Sequence, residues 1–276
     1  METNPMPPPS ARSSTIEVRR PTFDLTSDVP RYWNGGDAFA THYLNALSSA
    51  FPDGEAFFVR SVQHFRDRVQ EPELLNAIRG FSGQEAQHSR QHDRHLTLLV
   101  ERGYPALIRM NRVVDRSMRF GNRHWPVVSL ASTAAVEHLT ALLARRILAP
   151  GSRFTAAMDP RMAALWRWHA VEEAEHKAVA YDVLQRVSQS LMLRSIALVA
   201  NSIALFFEVL ARALYMLWKD GVLFRLETLS SGGRFLFGRG GLLRGHARGY
   251  FSWFRRDFHP SHTDDLPLIE AWRAHG

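Results

Sequence analysis

The chain has 276 residues, enough for one large domain with a full core or one domain with an appended segment. It contains no cysteine, which excludes disulfides, thiolate metal sites, iron–sulfur clusters and a cysteine nucleophile. Thirteen histidines and a net charge of +7 leave open an imidazole–carboxylate site and anionic partners.

From Met1 to Pro21 the chain is rich in Pro and Ser and lacks an apolar run. This reads as neither a secretory signal nor an anchor, and residues 1–36 read as a mostly flexible tail. Segment 37–50 predicts a short helix, and Pro52 suits the first turn of a second one that carries Glu55 towards Arg68. Glu71-Pro72 opens a long helix to Glu101, stopped by Gly103 and Pro105. A weaker helical pattern covers 107–121. After Pro126 comes an apolar helix carrying Glu137, ended at Pro150-Gly151. Asp159-Pro160 is a good N-cap and first-turn pair for a helix holding His169, Glu173 and His176 and running to Ser188.

Segment 190–218 is the most apolar, but its longest uncharged stretch, Ser195 to Phe207, has thirteen residues. A spanning helix needs about 20, so this reads as a buried bundle helix, with a helix dipping into one leaflet as the alternative. Beyond Gly221 the pattern is loops and short helices. No alternating run marks a hairpin. The fold class is therefore all-α: a helix bundle over 37–220 and a basic, aromatic-rich extension over 221–276 packed on it.

The chemistry lies in two Glu-x-x-His units, Glu85 with His88 and Glu173 with His176. Residues three apart share a helix face, so each unit presents a carboxylate and an imidazole to one point. Two such units plus a lone Glu from each of two further helices is how bundles hold a metal pair. Glu55 and Glu137 are the candidates for the lone positions. An acid in the apolar run around Glu137 is expensive to bury unpaired, which supports a metal role there. His169, four before Glu173, adds a third imidazole on the same stripe. Two metal ions are expected, with iron, manganese or zinc suiting oxygen and imidazole donors. Glu172 competes with Glu173 and is otherwise a neighbour supporting the ligands. His92, four after His88, is an eighth donor, a hydrogen-bond partner of a ligand, or a structural histidine.

The order Glu, Glu-x-x-His, Glu, His-x-x-x-Glu-x-x-His resembles the ferritin-like dinuclear metal carboxylate superfamily. The third histidine is similar to the di-iron arylamine N-oxygenase branch, whose members use a seven-ligand set. The wording WHAVEEAEHKAVAYD, with FHP near the end, resembles a bacterial family described as predicted metal-dependent hydrolases. The resemblance covers about residues 40–220 and the FHP segment. It implies a ferritin-like fold with an iron pair that activates O2, using an electron donor, to oxidise a small substrate, which the apolar 190–218 segment suggests is apolar or aromatic. Hydrolysis at a dinuclear site is the alternative activity. Iron storage, or a membrane-associated scaffold, comes third, because a basic surface does not attract cations.

Two other segments have competing readings. His259-Pro260-Ser261-His262 with Asp264 and Asp265 offers donors for a second metal site, yet Pro260 prevents one helical face, so a surface loop is expected. From Arg225 to Arg256 seven Arg face one acid, Glu227, among aromatic residues. That suits peripheral contact of 190–256 with an anionic membrane surface, while no motif points to specific nucleic acid. Plain surface loops remain the simplest reading. A cytoplasmic protein, at most peripheral at the inner face of the membrane, and a homodimer are compatible with this reading.

Overall fold

A computed structural model of the chain describes residues 16–239, 241–242, 244 and 246–275. What is expected of residues 1–15 lies outside these. The described chain is all-α. Helices α1 (Ala38–Gln63), α2 (Pro72–Glu101), α3 (Ala106–His124) and α4 (Pro126–Leu148) come first. The short α5 (Arg153–Ala156) precedes α6 (Pro160–His176), α7 (Val179–Val187) and α8 (Leu191–Lys219). Three further helices, α9 (Leu226–Phe237), α10 (Ala247–Ser252) and α11 (Leu266–His275), close the chain. The described residues hold no strand, only one isolated bridge between Asn34 and Met158.

Helix α1 packs mainly on α2 and α8, and α4 lies against α6, α7 and α8. Surrounded in this way, α4 buries residues on every side, which is why its sequence is apolar nearly all round. Fully buried Trp166, Met162 and Leu44 fill one half of the core, and Phe81, Ile78 and Leu130 the other.

Two stretches of helix differ from expectation. Pro52 does not start a helix but lies inside α1, which runs unbroken for 26 residues. The proline lacks an N–H, and the turn before it is supported from outside: Asn111 Nδ2 donates to Ser49 O at 2.9 Å. The helix carrying His176 stops there, and after a turn at Lys177–Ala178 the chain resumes as α7. Lys177 Nζ leaves this turn to bind Thr263 O at 2.6 Å and the Asp265 carboxylate.

Helix α8 is not a fully buried bundle helix. One face packs on α1 and α4, while Met192, Ile196, Val199, Ile203, Phe207 and Trp218 are exposed. By length and composition α4 and α8 could each cross a membrane, but α4 is largely internal. The charges that interrupt α8 point inwards. Arg194 donates to Tyr181 OH at 2.6 Å and lies over the rings of Tyr181, Trp253 and Phe258. Arg212 binds Asn111 and donates to Glu208 at 2.6 Å.

Residues 16–21, expected within a flexible tail, form an extended strap across α2. Two interior glycines of α2 admit it. A Cβ on Gly80 would stand 2.5 Å from Ile16 Cβ, and one on Gly83 2.5 Å from Val18 Cγ2. Gln84 Nε2 donates to Glu17 O at 2.9 Å, and Gln91 Nε2 to Pro21 O at 2.8 Å.

Candidate metal centre

Four helices bring the candidate donors to one place: Glu55 from α1, Glu85 and His88 from α2, Glu137 from α4, and His169, Glu173 and His176 from α6. All seven are buried, and Glu85, His88, Glu137 and His176 have no exposed surface. Their donor atoms form overlapping groups, each within 4.8 Å: Glu85–Glu137–His176, His88–His169–Glu173, Glu55–Glu85–His88 and Glu55–His92–His169. Glu55 and Glu85 each belong to two groups, so the donors form one cluster. A group of this kind is what a metal ion requires.

The polar atoms themselves test whether a cation fits. Both carboxylate oxygens of Glu55, Glu85 and Glu137 are buried with no hydrogen-bond partner. So are Glu173 Oε2, His176 Nε2 and both ring nitrogens of His88. Orphaned buried groups are rare and costly, and here they face one another. The donor set is oxygen and imidazole nitrogen only, which suits iron, manganese or zinc.

Electrostatics repeats the point. Burial, then the neighbouring carboxylates, pushes Glu55 well above the usual carboxylate range. Burial also raises Glu85, against the pull of the nearby His176 imidazole, and lifts Glu137 to about 7, with Glu173 adding to the rise. Burial alone would raise Glu173, but the imidazoles of His176 and His169 outweigh it and hold the carboxyl low. Burial would lower His176, yet Glu137 and Glu173 raise it well above the ordinary imidazole value. Without a cation the cluster thus keeps acids protonated and an imidazole charged. A cation removes that conflict.

Two of the three imidazoles are held by their second nitrogen, and the third lies against a carboxylate. His176 turns Nε2 towards Glu85 at 3.1 Å and Glu137 at 3.3 Å, and its Nδ1 lies 2.9 Å from Gln84 Oε1. The amide oxygen can only accept, so Nδ1 carries the proton and Nε2 is free to ligate. His169 places Nε2 3.1 Å from Glu173, and its Nδ1 lies 2.9 Å from His92 Nε2. His88 has Nδ1 3.6 Å from Glu173 and Nε2 3.1 Å from Glu172 Oε2. The bonds at His176 and His169 are the support that metal-bound histidines require.

The structure also separates the competing acids. Glu173 faces three imidazoles, whereas Glu172 sits behind His88 and accepts from Arg19 Nη1 at 3.2 Å. Burial lifts Glu172 to about 7 against the pull of Arg19. His92 is near enough to join a donor group with Glu55 and His169, but both its nitrogens have partners: His169, and Ser48 Oγ at 2.7 Å. Ser48 also meets His95 Nδ1 at 2.7 Å, so a buried line runs His169, His92, Ser48, His95. Burial and the nearby Arg102 lower His95 to about 3.

Sequence reasoning missed Gln84, Ser48 and Arg19. Gln84 precedes Glu85 and lies four before His88, a spacing that could have flagged it. Arg19 had no such signal, because its partners are more than 150 positions away. The His259 segment is separate from the cluster. His259 Nε2 meets Asp182 at 2.8 Å, and Asp265, expected on the surface, is buried against Lys177 and Arg145.

No curated protein and no solved structure matched the chain in a search. One family model matches residues 17–264, nearly the whole chain and every donor of the cluster. The chain therefore belongs to the family described as predicted metal-dependent hydrolases.

Proposed function

We propose that the protein is a metalloenzyme that holds two metal ions between α1, α2, α4 and α6 and uses them to hydrolyse a small substrate. The carrying observation is the convergence of orphaned, buried carboxylate and imidazole atoms from four helices. A lone Glu from each of two helices and Glu-x-x-His from two others also supports kinship with ferritin-like dinuclear carboxylate proteins. Hydrolysis is the activity that the family description supports.

A bound metal pair would supply Lewis acidity and a water acidic enough to attack near neutral pH. Glu55, Glu85, Glu137 and Glu173 would hold it with His88, His169 and His176. His92 and Gln84 fix the directions of His169 and His176, and Glu172 lies 3.1 Å from His88 Nε2. Trp168, edge-on to His88 at 4.9 Å between ring centroids, and Phe51, stacked on His169 at 4.7 Å, keep bulk water from the donors.

The donor chemistry favours a second reading. Oxygen and imidazole donors carried on helices in a dry interior suit an iron pair that activates O2 to oxidise an apolar or aromatic substrate. The two separate in one comparison. Protein loaded in parallel with zinc, manganese or ferrous iron is given p-nitrophenyl octanoate, and the ferrous form is mixed with O2 in a stopped flow. Metal-dependent ester cleavage that vanishes in Glu137→Ala supports the hydrolase. O2 consumption by the ferrous form with no ester cleavage by any metal form replaces it with the oxygenase.

A further inference from the structure

Beside the donor cluster lies a second cavity that the metal reading does not use. It has a volume of about 380 Å³ and is walled by α1, α4, α8, α10 and the side chains of Leu242 and His246. Small-molecule sites typically occupy ~300–1,000 Å³. Its walls are almost wholly apolar and include both exposed and buried residues. Phe251 is 66% exposed and marks the open side, while Val209 and Phe51 are buried and mark the inner side.

The inner end reaches the metal donors. A smaller void of about 10 Å³ shares Phe51, Thr140 and Leu143 with the large cavity and is itself lined by His169 and Glu173. Phe51 therefore stands between the two, with one face on His169.

The polar groups on the walls say what the cavity accepts. Thr140 Oγ1 donates to Glu137 O at 3.0 Å, and Ser202 Oγ to Leu198 O at 2.7 Å. Both hydroxyls have carbonyl acceptors in their own helices, and Ser202 Oγ also lies 3.3 Å from the Tyr250 hydroxyl across the wall. The wall imidazole, His246, is held neutral, lowered to about 4 by burial and then by Arg146. No lining residue is Asp, Glu, Lys or Arg. A charged group passing inwards would lose its hydration with nothing to replace it.

From this we propose that the cavity is the substrate site, and that it takes a neutral molecule with an alkyl chain whose uncharged reactive end lies at Phe51. The assignment of the reactive end rests on the metal reading; binding of the chain does not.

The test is calorimetric titration of the protein as purified, with metal content measured on the same samples. The probes are 1-decanol, decanoate and decylammonium. One site per chain is expected, with decanol bound at least about tenfold more tightly than either ion. Leu205→Trp fills the middle of the cavity and should weaken decanol binding by about tenfold. Ala247→Leu, at the exposed rim, is the milder variant and should weaken it severalfold. Equal binding of the charged probes, or decanol binding within twofold of wild type in both folded variants, overturns the proposal. Decanol binding that follows the variants in a protein unable to hold metal supports the cavity and removes the metal reading. Indifference to the variants in a metal-loaded protein removes the cavity alone.

Discussion

The three cluster imidazoles differ in what holds them, and the difference makes each residue separately testable. His88 is backed by a carboxylate that Arg19 fixes in place, His169 by a second imidazole, and His176 by the neutral amide of Gln84. Gln84 also donates to Glu175 at 2.8 Å and to the strap at Glu17, so its rotamer is set from two sides. Gln84→Leu removes the acceptor that keeps the His176 proton on Nδ1. Loss of such a partner typically costs 10–100-fold in metal affinity. Chelator competition against wild type should show a weakening of roughly this size, with the helical circular dichroism unchanged. Affinity equal to wild type would mean that Gln84 does not orient His176.

At the scale of elements, the end of α8 is tied to distant parts of the chain through one carboxylate. Asp220 caps the helix C-terminus, where an acid is unfavourable to the helix dipole. It is offset by four donors: Arg31 at 2.5 Å, Tyr104 OH at 2.7 Å, Tyr32 OH at 2.9 Å and His42 Nε2 at 3.0 Å. Burial would raise the Asp220 carboxyl, but the hydrogen bonds from His42, Tyr104 and Tyr32 outweigh it and bring it to about 2. A carboxyl depressed by folding stabilises fully above its unfolded value, near 3.9, and loses that contribution as pH falls towards 2. Asp220→Asn should cost roughly 1–3 kcal/mol at pH 7. In urea unfolding, the gap between wild type and variant should be level from pH 7 to 5 and narrow below pH 4. A gap that widens in acid would show that the carboxylate is not the stabilising species.

For the whole molecule, the readable part of the fold was the part set by local periodicity and local motifs. The helix starts at Pro72, Pro126 and Pro160 were visible because proline and its capping neighbours act within one turn. Five of the seven candidate donors were visible because i, i+3 and i+4 spacings on a helix are themselves geometry, and Glu55 and Glu137 because the bundle pattern asks for a lone Glu on each of two further helices. What stayed hidden depends on contacts between distant residues. Pro52 reads as a helix start until Asn111, far along the chain, supports the turn before it. Residues 16–21 read as flexible tail because Glu172 and Glu175, which bind Arg19, are more than 150 positions away. Arg194 and Arg212 read as interruptions in an apolar helix until their aromatic and amide partners come from α7, α3 and residues 253–258.

Of these contacts, the one from Arg19 through Glu172 reaches the donor cluster, whose metal content is the most direct test. Protein reconstituted under anaerobic conditions and freed of loose metal is analysed by elemental mass spectrometry, alongside Glu137→Ala and His259→Ala. The account predicts about two metal ions per chain in wild type, the same in His259→Ala, and loss of binding in Glu137→Ala. Wild-type protein without metal, or loss in His259→Ala but not in Glu137→Ala, would contradict it.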